Sequence, residues 1–241
     1  MREAITEWPP LLKARIAGVF YLLNILTIFL AIFFFRGLFV SGNPAATATN
    51  ILTHESLFRL GFAAELISTA CSIGVSALLY VLLEPVNRSL SLLAAFFRLV
   101  ACAIFALSYL FQLAPLQILG ATHYLTESRE QLQALAFLLY TFHARTSDIA
   151  IVFFAFHFTL LGYLIFSSTF LPRFLGVLLV FAGLSGLIFL APSLGRFLFP
   201  YFAPFGLLGE VSLAVWLLAR GVNIQRWKEQ ASAAAGNVAF Y

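Results

Sequence analysis

Residues 16–35 read IAGVFYLLNILTIFLAIFFF and contain no charged side chain. A helix rises 1.5 Å per residue, so twenty such residues extend about 30 Å, which is the thickness of the hydrocarbon core of a bilayer. The stretch is continuously apolar, whereas the strands of a membrane barrel alternate between apolar and polar residues. We therefore predict a membrane-spanning α-helix.

Five more stretches of the chain meet the same criterion of about 18 apolar residues. They are residues 60–83, 92–119, 149–166, 174–191 and 203–219. The whole 241-residue chain is 62% hydrophobic and only 10% charged, with a mean hydropathy of +0.98. A soluble domain carries about a quarter charged residues, so this chain cannot cover a water-facing surface. The fold class predicted is an all-α integral membrane protein, a bundle of six transmembrane helices with short outer interfacial helices.

The Lys and Arg residues between the predicted spans indicate an orientation. With the N-terminus inside, eight basic residues lie on the inner side, namely Arg2, Lys13, Arg15, Arg88, Arg173, Arg220, Arg226 and Lys228. Five lie outside, namely Arg36, Arg59, Arg129, Arg145 and Arg196. By the positive-inside rule we expect both termini in the cytoplasm. The basic residues stand singly, so no nucleic-acid partner is expected despite the net charge of +4.

Three segments follow from this topology. They are a cytoplasmic N-terminal segment at 1–15, a transmembrane domain at 16–220 and a cytoplasmic polar tail at 221–241. Two outer connections, 41–58 and 120–148, are predicted to contain helix. The second has a capping-box sequence from Ser128 to Gln131, which predicts a helix start there. Either this helix lies at the interface before the fourth span, or one long helix continues through that span.

Polar side chains within the apolar spans are the candidates for a functional site. An ionisable group in hydrocarbon costs about 2.5 to 3.5 kcal/mol on insertion scales, so such groups turn to the bundle interior and find partners. The candidates are Asn24, Glu65, Arg98, His157 and Glu210.

Glu65 begins a stripe of small and hydroxyl residues along one face of the second span. Gly61, Ser68, Ser72 and Ser76 recur with it at helical spacing. A stripe of this kind forms either a packing seam between helices or the wall of a polar cavity. Ser72 is therefore a further candidate for ligand contact.

Arg98 is placed near the middle of the membrane by its distance from Arg88. Ten residues of helix separate them, about 15 Å along the axis. Three interpretations are open: an ion pair with Glu65 or Glu210, a proton or substrate site, and a side chain that extends to the interface.

The histidines do not predict a cofactor. His143 and His157 are fourteen residues apart and share a helix face, but a haem between helices would need facing histidines that the other spans lack. Among outer residues, His123, His143 and Asp148 are the candidates for a metal, although we expect a solvated polar loop rather than a metal site. The expectation is no cofactor and no metal.

Seven short motifs carry a family resemblance. They are NPAATATNIL at 43–52, LFRLGF at 57–62, LYVLLEPVNR at 79–88, AAFFRL at 94–99, FFAFH at 153–157, LGYL at 161–164 and LPRFLG at 171–176. In their order along residues 14–220, they resemble the bacterial membrane family catalogued as domain of unknown function 4386. The resemblance implies a multi-pass integral protein of the bacterial cytoplasmic (plasma) membrane, without an established activity. It also implies that an acid, commonly Asp, occupies the position of Glu65, and that Arg98 and His157 fall within the family's recurring motifs.

The function predicted is binding or transport of a small molecule, lipid or proton through a polar interior, within the lipid bilayer. Glu65 and Glu210 would accept protons, Arg98 would be their counter-charge or an anion anchor, and His157 would be a titratable switch. One alternative is an intramembrane enzyme that acts on a lipid or isoprenoid with a histidine and a carboxylate. Another is a non-catalytic accessory or sensor subunit. A non-enzyme is favoured, and no oligomeric state is predicted.

Overall fold

The computed structural model describes residues 8–120 and 128–238, which are helical throughout apart from turns and contain no strand. The helices are α1 (Pro10–Phe35), α2 (Pro44–Thr53), α3 (Glu55–Leu83), α4 (Arg88–Gly120), α5 (Arg129–Ser167), α6 (Arg173–Gly186), α7 (Pro192–Ala219) and α8 (Ile224–Val238). A short 3-10 helix, Leu187–Leu190, continues α6. The predicted all-α class is confirmed.

Six of these helices are long and apolar enough to cross a membrane, as predicted. They are α1, α3, α4, α5, α6 with its 3-10 extension, and α7. Their outward faces are also apolar: Phe33, Phe181 and Phe197, for example, are exposed. An apolar exterior needs lipid in place of water, so this is a multi-pass membrane protein.

The six long helices form a closed ring. Each contacts the next in chain order, and α7 contacts α1. The turns at 84–87 and 168–172 lie at one end of the ring, which we call the hairpin end, and α2 lies at the other, which we call the far end.

The ring packs tightly at the hairpin end, where the larger hydrophobic core lies. This core includes Tyr21, Leu82, Leu164, Leu175 and Leu217, all fully buried. A smaller cluster around Phe58, Ile51 and Leu116 closes the far end and anchors α2. The interior between the two clusters is less tightly filled, and this is where the polar groups lie.

Helix α5 is a single unbroken helix of 39 residues, the second of the two predicted arrangements. Ser128 forms the predicted capping box with Gln131: its Oγ accepts from the Gln131 N–H, and the Gln131 Oε1 accepts from the Ser128 N–H. At 1.5 Å per residue, α5 extends about 58 Å and therefore projects beyond the hydrocarbon core.

The chain after the sixth span also contains a helix, α8, within the segment predicted as a polar tail. It lies against the hairpin end. The Trp227 Nε1–H donates to the Leu82 carbonyl oxygen at 2.9 Å, and the Gln230 Oε1 accepts from the Thr169 N–H and Oγ–H. The hairpin end is thus covered by structure that hydropathy alone does not predict.

Candidate functional site

Arg98 is the centre of the polar interior. It projects from α4 and only 1% of its surface is exposed. Its Nε–H donates to Ser72 Oγ at 2.9 Å, and its Nη1 donates to Tyr21 Oη at 3.1 Å and to His157 Nε2 at 3.2 Å. Because these partners belong to α3, α1 and α5, one guanidinium group joins four of the six helices.

His157 is held in one tautomer by its two neighbours. Its Nδ1 lies 2.8 Å from the carbonyl oxygen of Ala94, which can only accept, so Nδ1 carries the hydrogen. Arg98 is always a donor, so Nε2 must accept. His157 is therefore a neutral acceptor for the arginine in this arrangement.

Aromatic rings complete the surroundings of Arg98. Its Cζ lies 4.9 Å from the centroid of the Tyr21 ring and 5.5 Å from that of the Phe154 ring. Both distances are within the range of cation–π attraction, which strengthens where water is excluded. The positive charge is thus stabilised by neutral groups.

The predicted direct ion pair of Arg98 is not formed. Among the described residues, neither Glu65 nor Glu210 lies within 4.0 Å of the guanidinium nitrogens. The interpretation in which Arg98 extends to the interface is also wrong, because the side chain is buried. Tyr21, which sequence analysis passed over as an ordinary aromatic residue, supplies a hydroxyl and a ring face instead.

A cavity of about 370 Å³ lies beside this cluster, inside the ring. Its apolar wall includes Phe105, Phe154, Phe158, Ile188 and Phe189. Seven polar residues also line it, namely Asn24, Ser68, Thr69, Ser72, Tyr109, Ser185 and Glu210. Asn24, Ser72 and Glu210, three of the predicted site residues, therefore share one chamber, and Arg98 and His157 lie behind its wall, linked to it by Ser72.

Asn24 and Glu210 face the chamber from α1 and α7. The Asn24 Nδ2 group donates to the carbonyl oxygen and the hydroxyl of Ser68, at 2.8 and 2.9 Å, and this leaves the Asn24 Oδ1 as an acceptor without a donor among the described residues. Glu210 is half-buried and interacts electrostatically with Arg98. The chamber therefore has acceptors on two sides.

Glu65 does not line the chamber. It is 8% exposed and lies nearer the far end, beside Gln112 of α4. The hydrogen bond between Thr69 Oγ1 and Tyr109 Oη, at 3.1 Å, separates Glu65 from the chamber. The stripe of small and hydroxyl residues on α3 thus includes both a cavity wall and a packing seam. Ser68 and Ser72 line the chamber, whereas Ser76 packs against α4 and donates to the Ala95 carbonyl oxygen at 3.3 Å.

The candidate metal-ligating residues that the structure describes do not form a cluster. His123 lies outside the described residues. His143 Nδ1 lies 3.1 Å from the Ser108 carbonyl oxygen, and Asp148 Oδ2 lies 3.7 Å from Arg196 Nε. Across residues 8–120 and 128–238, no three histidine, cysteine or acidic side chains are grouped so that they could hold a metal ion.

Gln112 is a site residue that sequence analysis missed. It is a primary amide within the third apolar run, and it is 2% exposed. An uncharged amide in a span is a weaker hydropathy signal than an acid, but it has the same need for partners.

Together, the fold and the site define a helical multi-pass membrane protein whose spans enclose an internal chamber with a buried arginine at its wall. The family model described as Domain of unknown function (DUF4386) matches residues 16–221, nearly the whole spanning region. The chain belongs to this family, as its motifs indicated.

A relative from Archaeoglobus fulgidus, described as an uncharacterized protein, is 30% identical over 155 residues. The match covers 61% of this chain and 75% of that protein. This relative is archaeal, so the comparison does not establish the bacterial origin that the resemblance implied. No solved structure matches the chain.

Proposed function

We propose that this protein binds a small amphipathic molecule inside the membrane, with a neutral, hydrogen-bonding head. The observation that carries the proposal is the chamber of about 370 Å³. Its apolar walls and its few polar groups have the composition typical of small-molecule sites, which measure about 300 to 1,000 Å³.

The size of the chamber limits the ligand. At about 370 Å³, it lies at the lower end of the size range of small-molecule sites. The ligand is therefore a small molecule with a short apolar part, rather than a membrane lipid held whole.

The polar groups select a neutral head. Ser72 Oγ already accepts from Arg98, so its own hydrogen is available for a ligand, while Asn24 Oδ1 and the Glu210 carboxyl group offer acceptors. The positive charge of Arg98 and the negative charge of Glu210 offset each other. A ligand with a charged head would therefore add an uncompensated charge in a medium of low dielectric constant. A hydroxyl group both donates and accepts, so it fits this set.

Entry from the lipid is consistent with the position of α7. Phe199 and Leu207 line the chamber, yet they are 47% and 39% exposed. Side chains that border both the chamber and the outer surface leave a lateral route between α7 and its neighbours. An amphipathic molecule dissolved in the bilayer could enter by this route.

Photolabelling with azioctanol, a diazirine-bearing alcohol, tests the proposal in protein reconstituted into nanodiscs. Gly206 lines the chamber, and a Cβ there would meet no atom within 4 Å, so the side chain of Gly206→Leu should begin in open space and occupy part of the chamber. We expect label on chamber residues in the wild type and in the control Gly206→Ala, and its loss in Gly206→Leu. Label spread evenly over lipid-facing residues in all three proteins would overturn the proposal.

Glu210→Gln should make ligand binding independent of pH near neutrality. Among the described residues, Glu210 is the one carboxyl side chain that borders the chamber directly, and the amide keeps its shape without the charge. We expect the thermal stabilisation by octanol to vary with pH in the wild type and to stay constant in Glu210→Gln. The same variation in both proteins would show that another group is responsible.

The enzyme alternative receives less support from the same geometry. It requires a histidine, His157 or His143, paired with a carboxylate. The two His157 nitrogens face Arg98 and Ala94, and His143 Nδ1 faces the Ser108 carbonyl oxygen. An accessory subunit would need no chamber. We therefore favour ligand binding over both alternatives.

We also propose that the hairpin end faces the cytoplasm, in the cytoplasmic membrane, as the distribution of basic residues favours. The native Cys71 and Cys102 are buried, so an introduced surface cysteine can be labelled selectively. In intact cells a membrane-impermeant maleimide should label Ser41→Cys, and it should label Ser232→Cys of α8 only after lysis. Labelling of Ser232→Cys in intact cells would reverse the orientation.

A further inference from the structure

Two buried oxygen atoms without partners lie in the interior between the chamber and the far end. They are Glu65 Oε2 and Gln112 Oε1, and neither has a hydrogen-bond partner among the described residues. The two side chains come from adjacent helices, α3 and α4, and are 8% and 2% exposed. One helical turn away, Thr69 of α3 is hydrogen-bonded to Tyr109 of α4, and this pairing of the two helices places the Gln112 side chain beside the Glu65 carboxyl group.

Two acceptors left unpaired in such a place are costly. A buried polar group without a partner lowers the free energy of unfolding by about 1 to 3 kcal/mol, and a buried ionised carboxylate lowers it further. No lysine or arginine within the described part of the chain lies within 4.0 Å of Glu65 to offset a negative charge. Some positive species must therefore accompany the carboxylate, or it must be neutral.

The groups that face Glu65 can be named helix by helix. From α4 these are Gln112 and Tyr109, and from α5 Tyr140, whose ring packs against that of His143. Helix α2 contains no ionisable residue, and those of α1 (Lys13, Arg15, Tyr21) belong to its half at the hairpin end. His143 Nδ1 is hydrogen-bonded to the Ser108 carbonyl oxygen at 3.1 Å. The site is thus neutral apart from Glu65 and the His143 ring.

One proton placed on Glu65 would satisfy both unpaired oxygens. A carboxylic acid and a primary amide form a reciprocal pair: the acid O–H donates to the amide oxygen, and the amide N–H donates to the acid carbonyl oxygen. With the acid hydrogen on Glu65 Oε2, the O–H would donate to Gln112 Oε1, so that both unpartnered oxygens would gain a partner.

We propose that Glu65 and Gln112 form a proton-binding site, in which Glu65 is a carboxylic acid hydrogen-bonded to the Gln112 amide. The proton is taken from water and returned to water. The site is distinct from the ligand chamber, because Glu65 and Gln112 do not line it and the Thr69–Tyr109 hydrogen bond stands between. The proposal therefore does not depend on ligand binding.

Dicyclohexylcarbodiimide tests the site in the wild-type protein, because it reacts with protonated carboxyl groups in apolar surroundings. We expect mass spectrometry to find Glu65 modified at neutral pH, with the modification lost as the pH is raised. Glu55 is the internal control on the same helix, since it pairs with Arg59 at the surface and should stay unmodified.

Infrared spectroscopy in nanodiscs supplies the second measurement. We expect the C=O stretch of a protonated carboxylic acid, absent in Glu65→Gln, retained in Glu55→Gln and displaced in Gln112→Leu, where the amide partner is missing. An unmodified Glu65 together with an infrared band unchanged in Glu65→Gln would overturn the proposal. Loss of the modification on adding sodium at constant pH would also overturn it, since the carboxylate would then hold a metal cation.

Discussion

Arg98→Ala is expected to destabilise the folded protein by about 3 kcal/mol, a typical cost of truncating a large buried side chain. The substitution removes donors from Tyr21, Ser72 and His157 together, and so releases the contact that joins four helices. Each hydrogen bond from a charged donor contributes about 1.5 to 3 kcal/mol. The expense of burying the arginine itself offsets part of that sum.

Unfolding by sodium dodecyl sulfate in mixed micelles measures the effect. Arg88→Ala is the matched control on the same helix, because Arg88 lies at the surface and pairs with Glu84. Its loss should cost less than about 1 kcal/mol. Arg98→Met, which fills much of the volume but donates nothing, should fall between the two. If Arg98→Met were as stable as the wild type, the arginine would contribute volume alone, and its hydrogen bonds would not matter for stability.

Gly176→Val should separate α5 from α6 and destabilise the bundle by roughly 3 kcal/mol or more, at the upper end of the cost of overpacking. A Cβ at Gly176 would lie 2.6 Å from both the Gly162 carbonyl oxygen and the Phe166 nitrogen. A Cβ at Gly162 would likewise lie 2.6 Å from the Gly176 carbonyl oxygen. Backbone atoms cannot turn aside as a side chain can, so the helices themselves must move apart.

The same unfolding assay tests this prediction, with Gly206→Ala as its control. A Cβ at Gly206 would meet no atom within 4 Å, so alanine there should be neutral or add up to about 1 kcal/mol through its better helix propensity. Equal stabilities for the Gly176→Val and Gly206→Ala proteins would contradict the close contact. Small residues at such contacts are what allow helices to approach in lipid, where no hydrophobic force drives them together.

The two predictions test two different kinds of contact between helices. The helix pair α5–α6 is fixed by backbone contact at Gly162 and Gly176, whereas Arg98 joins four of the six helices that surround the chamber. Gly176→Val should loosen the ring of helices. Arg98→Ala should also alter the chamber, because Glu210 would lose the opposite charge of Arg98. Ligand photolabelling of the two variants would separate these effects.

The amino-acid sequence alone determined that this protein lies in lipid, how many spans it has and where several of its helices begin. Hydropathy accumulates along a single helix, so residues 16–35 identify a span whatever their neighbours are. Local chemistry likewise fixed the start of α5 at Ser128 and that of α2 after Asn43, whose side chain accepts from the Ala46 N–H. These features depend on residues at most a few turns apart.

Only the tertiary structure decided which polar groups meet. Glu65, Glu210, Tyr21 and His157 were all chemically suitable partners for Arg98, and they are remote from it in the chain. The choice depends on how each helix is rotated in the ring and how deeply it sits, and a few tens of degrees exchange one partner for another. That is why the acid Glu65 adjoins a neutral amide while the arginine is bonded to a histidine, a tyrosine and a serine.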